Sequence, residues 1–119
     1  MHAYILLITD DDGLRSVVRE VLEEDGHVFQ IVDSSAPIGP DHCLVIAGPD
    51  IDGCVMEEKL GAVPGIPPRM LYLRYQNEPF KGRCAKCQTL TLPMDMLRIR
   101  DFIKDMMKVN DVVANAMYL

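Results

Sequence analysis

The stretch YILLITDDDGLRSVVREVLEEDGH, residues 4–27, constrains the fold more than any other part of the chain. Tyr4 to Ile8 is an apolar run without alternation, which predicts a parallel strand buried on both faces. The run ends at three consecutive aspartates, and from Leu14 onward the apolar period changes. Leu14, Val17, Val18, Val21 and Leu22 fall on one face of a helix, and Gly26 supplies its C-terminal stop. The unit is strand, acidic loop, helix.

The rest of the chain repeats this grammar with less regularity. Val28 to Val32 and Cys43 to Ala47 read as the second and third strands, joined by DSSAPIGPDH. That link has two prolines, a glycine and no helical period, although a parallel crossover usually carries a helix. Cys54 to Leu60 predicts a short helix closed by Gly61, and VPGIPP leads to a fourth strand at Met70 to Leu73. YQNEPFKGRCAKC leaves room for one short helix at most, before a fifth strand at Gln88 to Leu92. Asp95 is then a good N-cap for a final helix whose buried stripe is Ile99, Phe102, Ile103 and Met106, with Val109, Val113 and Met117 continuing it. Strands alternating with helices predict an open α/β sheet.

At 119 residues the chain is most simply one domain, residues 1–108, with 109–119 extending the last helix or forming a linker. Its net charge of −6 disfavours nucleic acid and anionic membranes and points to protein partners. No basic, apolar leader precedes the first aspartates and no apolar run has the length of a membrane span, so a soluble, cytoplasmic protein with reduced thiols is expected.

Two constellations could carry chemistry. Asp10 and Asp11 follow a central strand, where open α/β sheets place their ligands, and a pair of carboxylates there can hold Mg²⁺. The same acids would equally serve to cap the first helix and favour its positive end. Cys84 and Cys87 form a Cys-x-x-Cys hairpin, which supplies two of four zinc ligands or a redox dithiol. His42 and Cys43 start the third strand, at the end of the sheet where that hairpin lies, while Cys54 belongs to the opposite end. With no second Cys-x-x-Cys the expectation is ordinary thiols and no zinc. Most of the eight methionines read as core filler.

Taken together, LLITDDD with its helix, Pro40-Asp41 before strand three, PDIDG after it and LPMDML after strand five resemble the receiver domains of two-component response regulators. These landmarks span nearly the whole chain in the family's order. The resemblance implies a three-layer sandwich around a five-stranded parallel sheet of order 2-1-3-4-5; the lean link after strand two and the short region after strand four depart from it and predict second and fourth helices that are shortened or missing. It also implies a chemistry: phosphoryl transfer to an aspartate ending strand three, beside an acidic pair that binds the metal. A hydroxyl residue ends strand four and a lysine precedes the proline after strand five.

Asp10 and Asp11 match the metal pair, and the other three roles are vacant. The acceptor falls within Val45, Ile46, Ala47 and Gly48, the hydroxyl on Leu73 or Arg74, and the lysine on Leu92. Asp50 lies past Pro49, and with Asp52 it reads first as a turn or capping residue and second as a surrogate acceptor. Arg74 could reach Asp10 and Asp11 as an ion pair in place of the metal, or lie exposed at its strand end. The expectation is therefore a non-enzymatic, phosphorylation-independent receiver without a resident cofactor. Its expected partners are a histidine kinase-like protein or a downstream regulator, with a homodimer through the C-terminal helix as a further possibility. A DNA-binding domain beyond Leu119 would make it the control segment of a transcription regulator. The competing expectations are a switch phosphorylated at Asp50 or Asp52, and a zinc or thiol sensor at Cys84 and Cys87.

Overall fold

A computed structural model of the chain describes residues 4–39, 42–63, 68–75, 88–92 and 96–107. Five parallel strands form one sheet: β1 (Tyr4–Ile8), β2 (Val28–Val32), β3 (Leu44–Ala47), β4 (Arg69–Tyr75) and β5 (Gln88–Leu92), in the order β2-β1-β3-β4-β5. Helix α1 (Asp12–Glu24) follows β1, and α2 (Gly53–Gly61) follows β3. A 3-10 turn (Met96–Arg98) leads into a last helix, α3, residues 99–107. This is the expected flavodoxin-like α/β sandwich.

The two-residue period of the strands sorts the core into two layers. Ile5, Leu7, Leu44, Ile46, Leu71, Leu73, Leu90 and Leu92 face one side, where Leu14, Val18 and Leu22 of α1 and Ile99, Ile103, Met106 and Met107 of α3 cover them. Leu6, Ile8, Val45, Ala47, Met70 and Tyr72 face the other side, against Met56 of α2, Ile51 and Ile38. The unbroken apolar runs of β1 and β3 follow from this double coverage. Val17, expected in the stripe of α1, is 39% exposed because it sits at the margin of the arc that Leu14, Val18 and Leu22 define.

The helix ends are set by local chemistry. Asp11 Oδ1 accepts from Leu14 N–H at 3.1 Å, which makes it the N-cap of α1. Beyond Asp25 the chain turns through Gly26 at φ 72°, with His27 N–H bonded to Leu22 O and Gly26 N–H to Glu23 O. That pair of reverse bonds is a Schellman stop, and only glycine takes the left-handed position without strain. Arg100 and Lys104 of α3 reach Glu24 and Asp25 beside this stop and tie the two helices on the same face together.

Between β2 and β3 the described residues, 33–39 and 42–43, contain no helix. Ile38 alone among them is buried, and Lys59 Nζ of α2 donates to Ala36 O at 2.6 Å, fastening the link across the sheet face. The expected loss of the second helix is thus observed. The region of the fourth helix, Pro40-Asp41, Asp95 and the extension past Met107 lie outside the described residues. No helix among the described residues is long and apolar enough to cross a membrane.

Candidate functional site

β1 and β3 are adjacent in the sheet, but the chain leaves β1 toward β2 on one side and continues from β3 toward β4 on the other. In open α/β sheets the crevice beyond such a divergence is the usual ligand position. Thr9, Asp10 and Asp11 reach it from β1, and Gly48, Pro49 and Asp50 from β3.

Gly48 N–H bonds Ile8 O at 2.9 Å, and Gly48 O accepts from Ile51 N–H at 3.1 Å. Residues 48–51 therefore form a closed β-turn with Pro49 at its second position, where the fixed φ of proline is preorganised. The turn swings the Asp50 side chain back over Gly48 toward β1. Asp50 Oδ1 accepts from the Thr9 hydroxyl at 2.7 Å, and Oδ2 accepts from Asp10 N–H at 2.7 Å. A Cβ at Gly48 would meet Asp50 Oδ1 at 2.5 Å, Thr9 Oγ1 at 2.6 Å and Thr9 Cβ at 2.8 Å. The space a side chain at position 48 would need is already filled by Asp50 and Thr9.

Thr9 is fully buried and every polar atom it has is used. Its hydroxyl donates to Asp50 and accepts from Asp11 N–H at 3.1 Å; its N–H bonds Val32 O at 3.2 Å. Its carbonyl accepts from Arg15 Nε at 2.9 Å and Nη2 at 2.7 Å. A buried hydroxyl is costly to strand, so this connectivity binds the ends of β1, β2 and β3 and the first turn of α1 into one unit.

The acids around it are similarly engaged. Asp10 Oδ1 accepts from Ser34 N–H at 3.2 Å, and Asp11 Oδ2 from the Tyr75 hydroxyl at 3.3 Å. Asp33 is bonded by both the hydroxyl and the N–H of Ser35. The Ser35 hydroxyl first, its N–H second, and the charges of Arg15 and Lys59 hold the Asp33 carboxyl below its usual 3.8. A carboxyl depressed in the folded state contributes stability above its unfolded pKa, and that contribution is lost as pH falls through its folded value. Ser35→Ala is therefore expected to raise the Asp33 pKa toward 3.8, read by NMR titration of its carboxyl carbon. An unmoved titration would show that the turn does not hold the charge.

Several expectations are corrected. Arg74 does not pair with Asp10 and Asp11: its Nε donates to Thr91 Oγ1 at 3.1 Å on the neighbouring strand, with which it is in register. Among the described residues the cation bonded at the crevice is Arg15, one turn into α1. Asp50 is neither a cap nor a simple turn residue, because its carboxylate crosses to β1. Asp52 does cap, accepting from Cys54 N–H at 2.8 Å at the start of α2. Leu73 and Leu92 are each 2% exposed and belong to the apolar layer under α1 and α3. Val45, Ile46 and Ala47 are fully buried in the sheet, which leaves Gly48 as the residue of that window at the crevice.

Asp10 and Asp11 are both engaged in hydrogen bonds within the crevice. Their oxygens accept from Ser34, Leu14 and Tyr75, and among the described residues no three His, Cys, Asp or Glu side chains converge to hold a metal. Cys84 and Cys87 lie outside the described residues. Cys43 is a half-buried thiol 3.9 Å from Met107 Sδ, and Cys54 is exposed.

Thr9, Arg15 and Ser34 are the site residues that sequence reasoning missed. The available signals were a hydroxyl closing an otherwise apolar strand and a Gly-Pro-Asp turn whose glycine leaves room above it.

No protein-family model matches the chain, and no curated protein matches it.

Proposed function

We propose that the chain is a receiver-like regulatory module that works through protein–protein contact and carries no phosphoryl group. One observation bears most of the weight: the residue that follows β3 into the crevice is Gly48, and the Asp50 carboxylate fills the space above it while bonded to Thr9 and Asp10. The sheet order, the acidic loop after β1 and the turn after β3 support the likeness to receivers, and the missing reactive side chains argue against phosphoryl transfer. Asp50 as a surrogate acceptor is disfavoured, since both of its oxygens are held by donors just past β1, the Thr9 hydroxyl and Asp10 N–H.

On this reading the module sits in the cytoplasm. Its partner is a histidine kinase-like protein or a downstream regulator that recognises one fixed conformation of the crevice loops. The Thr9–Asp50 clasp and the Arg15 bonds to the Thr9 carbonyl supply that fixity without a ligand.

Thermal denaturation with and without millimolar Mg²⁺ and a small-molecule phosphodonor tests the proposal. The midpoint should agree within about 1 °C, because a ligand stabilises only a state that binds it. A rise of several degrees that requires both additives would contradict it.

A further inference from the structure

Strand β2 is an edge of the sheet, and among the described residues it shows no charge, proline or bulge of the kind by which edge strands avoid pairing. Val28–Val32 reads VFQIV, with no charge and no proline. Its register with β1 is continuous from Tyr4↔Val28 to Ile8↔Val32, so no bulge bends it away. Val28 is 47% exposed, Gln30 is exposed, and Phe29, Ile31 and Val32 are half-buried, whereas Ile5–Ile8 and Leu44–Ala47 of the inner strands are buried. The crossover after β2 adds no helix among its described residues, and Ile38 is the one buried side chain it contributes.

The strand and its flanks are also self-complementary. Read against its own reverse, HVFQIVD sets Val28 opposite Val32, Phe29 opposite Ile31, Gln30 opposite Gln30 and His27 opposite Asp33. Aromatic and β-branched residues meet one another, which are favourable cross-strand pairs. A twofold axis through the middle of the strand produces this antiparallel register, and it closes after two copies.

We propose that two copies of this chain associate through β2, antiparallel about a twofold axis at Gln30, joining two five-stranded sheets edge to edge. The occupant is a second copy rather than a foreign strand because the pairing pattern is supplied by the sequence itself.

Sedimentation velocity of the full chain over a concentration series should show the mass rising from 13.4 kDa toward twice that value. Gln30→Lys and Gln30→Glu each place like charges directly opposite one another, and each should weaken association roughly fivefold or more. An equimolar mixture of the two variants should restore the dimer, since lysine then faces glutamate. Thermal melts of the separate variants confirm that they are folded. If either fails to fold, Val28→Lys, at a residue 47% exposed, tests the same edge. The proposal is overturned by a chain that stays monomeric at every concentration, by a dimer indifferent to charge at positions 28 and 30, by variants that do not recombine, or by a dimer lost when residues 109–119 are deleted.

Discussion

Gly48→Ala is expected to destabilise the protein by about 2–3 kcal/mol, the upper part of the range for overpacking a filled interior. The added methyl would lie 2.5 Å from Asp50 Oδ1 and 2.6 Å from Thr9 Oγ1. Thr9 is buried within the sheet ends and cannot move freely, so Asp50 must leave, and the Thr9–Asp50 and Asp10–Asp50 bonds go with it. Chemical denaturation measures the loss. A double-mutant cycle identifies the cause: in an Asp50→Ala background part of the clash is already relieved, so Gly48→Ala should cost less there, with a coupling on the order of 1 kcal/mol. Additive effects would show that Asp50 does not fill the space above Gly48. A cost below about 0.5 kcal/mol would show that the position is not sterically closed.

Leu92→Lys should be at least as damaging. This residue occupies the place of the lysine that the family resemblance leads one to expect, and restoring it is chemically tempting. Leu92 is, however, 2% exposed in the apolar layer with Leu73, Leu90 and Ile99. An ammonium there loses its water without gaining an anion, a mechanism that accounts for the largest single-substitution losses, on the order of 3–5 kcal/mol. The thermal midpoint should fall steeply, by more than 10 °C for a chain of this length, at about 4–8 °C per kcal/mol. Retained stability would mean that β5 can turn this residue out of the core, and the lysine role would then be lost by sequence alone rather than by packing.

These two substitutions show why the fold could be read from the chain more fully than the site could. YILLI, LVIA and LEEDGH declare themselves because continuous burial and a glycine stop leave direct one-dimensional traces. The lean link after β2 was legible for the same reason, since prolines and the absence of a helical period are local facts. The Asp50 clasp has no such trace. Its geometry depends on a β-turn that carries a side chain across a strand boundary to Thr9, 41 positions earlier. Sequence separation hid the partner, and the intervening proline made Asp50 read as remote from the strand end.

Arg74 and Arg15 illustrate a second limit. Both are arginines near the C-terminal edge of the sheet, and only packing decides which one serves the crevice. Arg74 is drawn sideways by Thr91, its register partner on β5, whereas Arg15 emerges from the first turn of α1 directly beneath the Thr9 carbonyl. The acids behave in the same way. Asp11 was open to two readings, ligand or cap, and the Leu14 N–H makes it a cap. Asp52 was legible as a cap because its donor, Cys54 N–H, lies only two residues on.

On the proposed reading this crevice holds a carboxylate of its own and accepts no phosphoryl group. Intact-mass spectrometry of the protein after incubation with a small-molecule phosphodonor and Mg²⁺, beside the Asp50→Asn variant, tests it most directly. Both proteins should keep their unmodified mass. A single phosphoryl adduct on the unaltered protein that disappears in Asp50→Asn would contradict it.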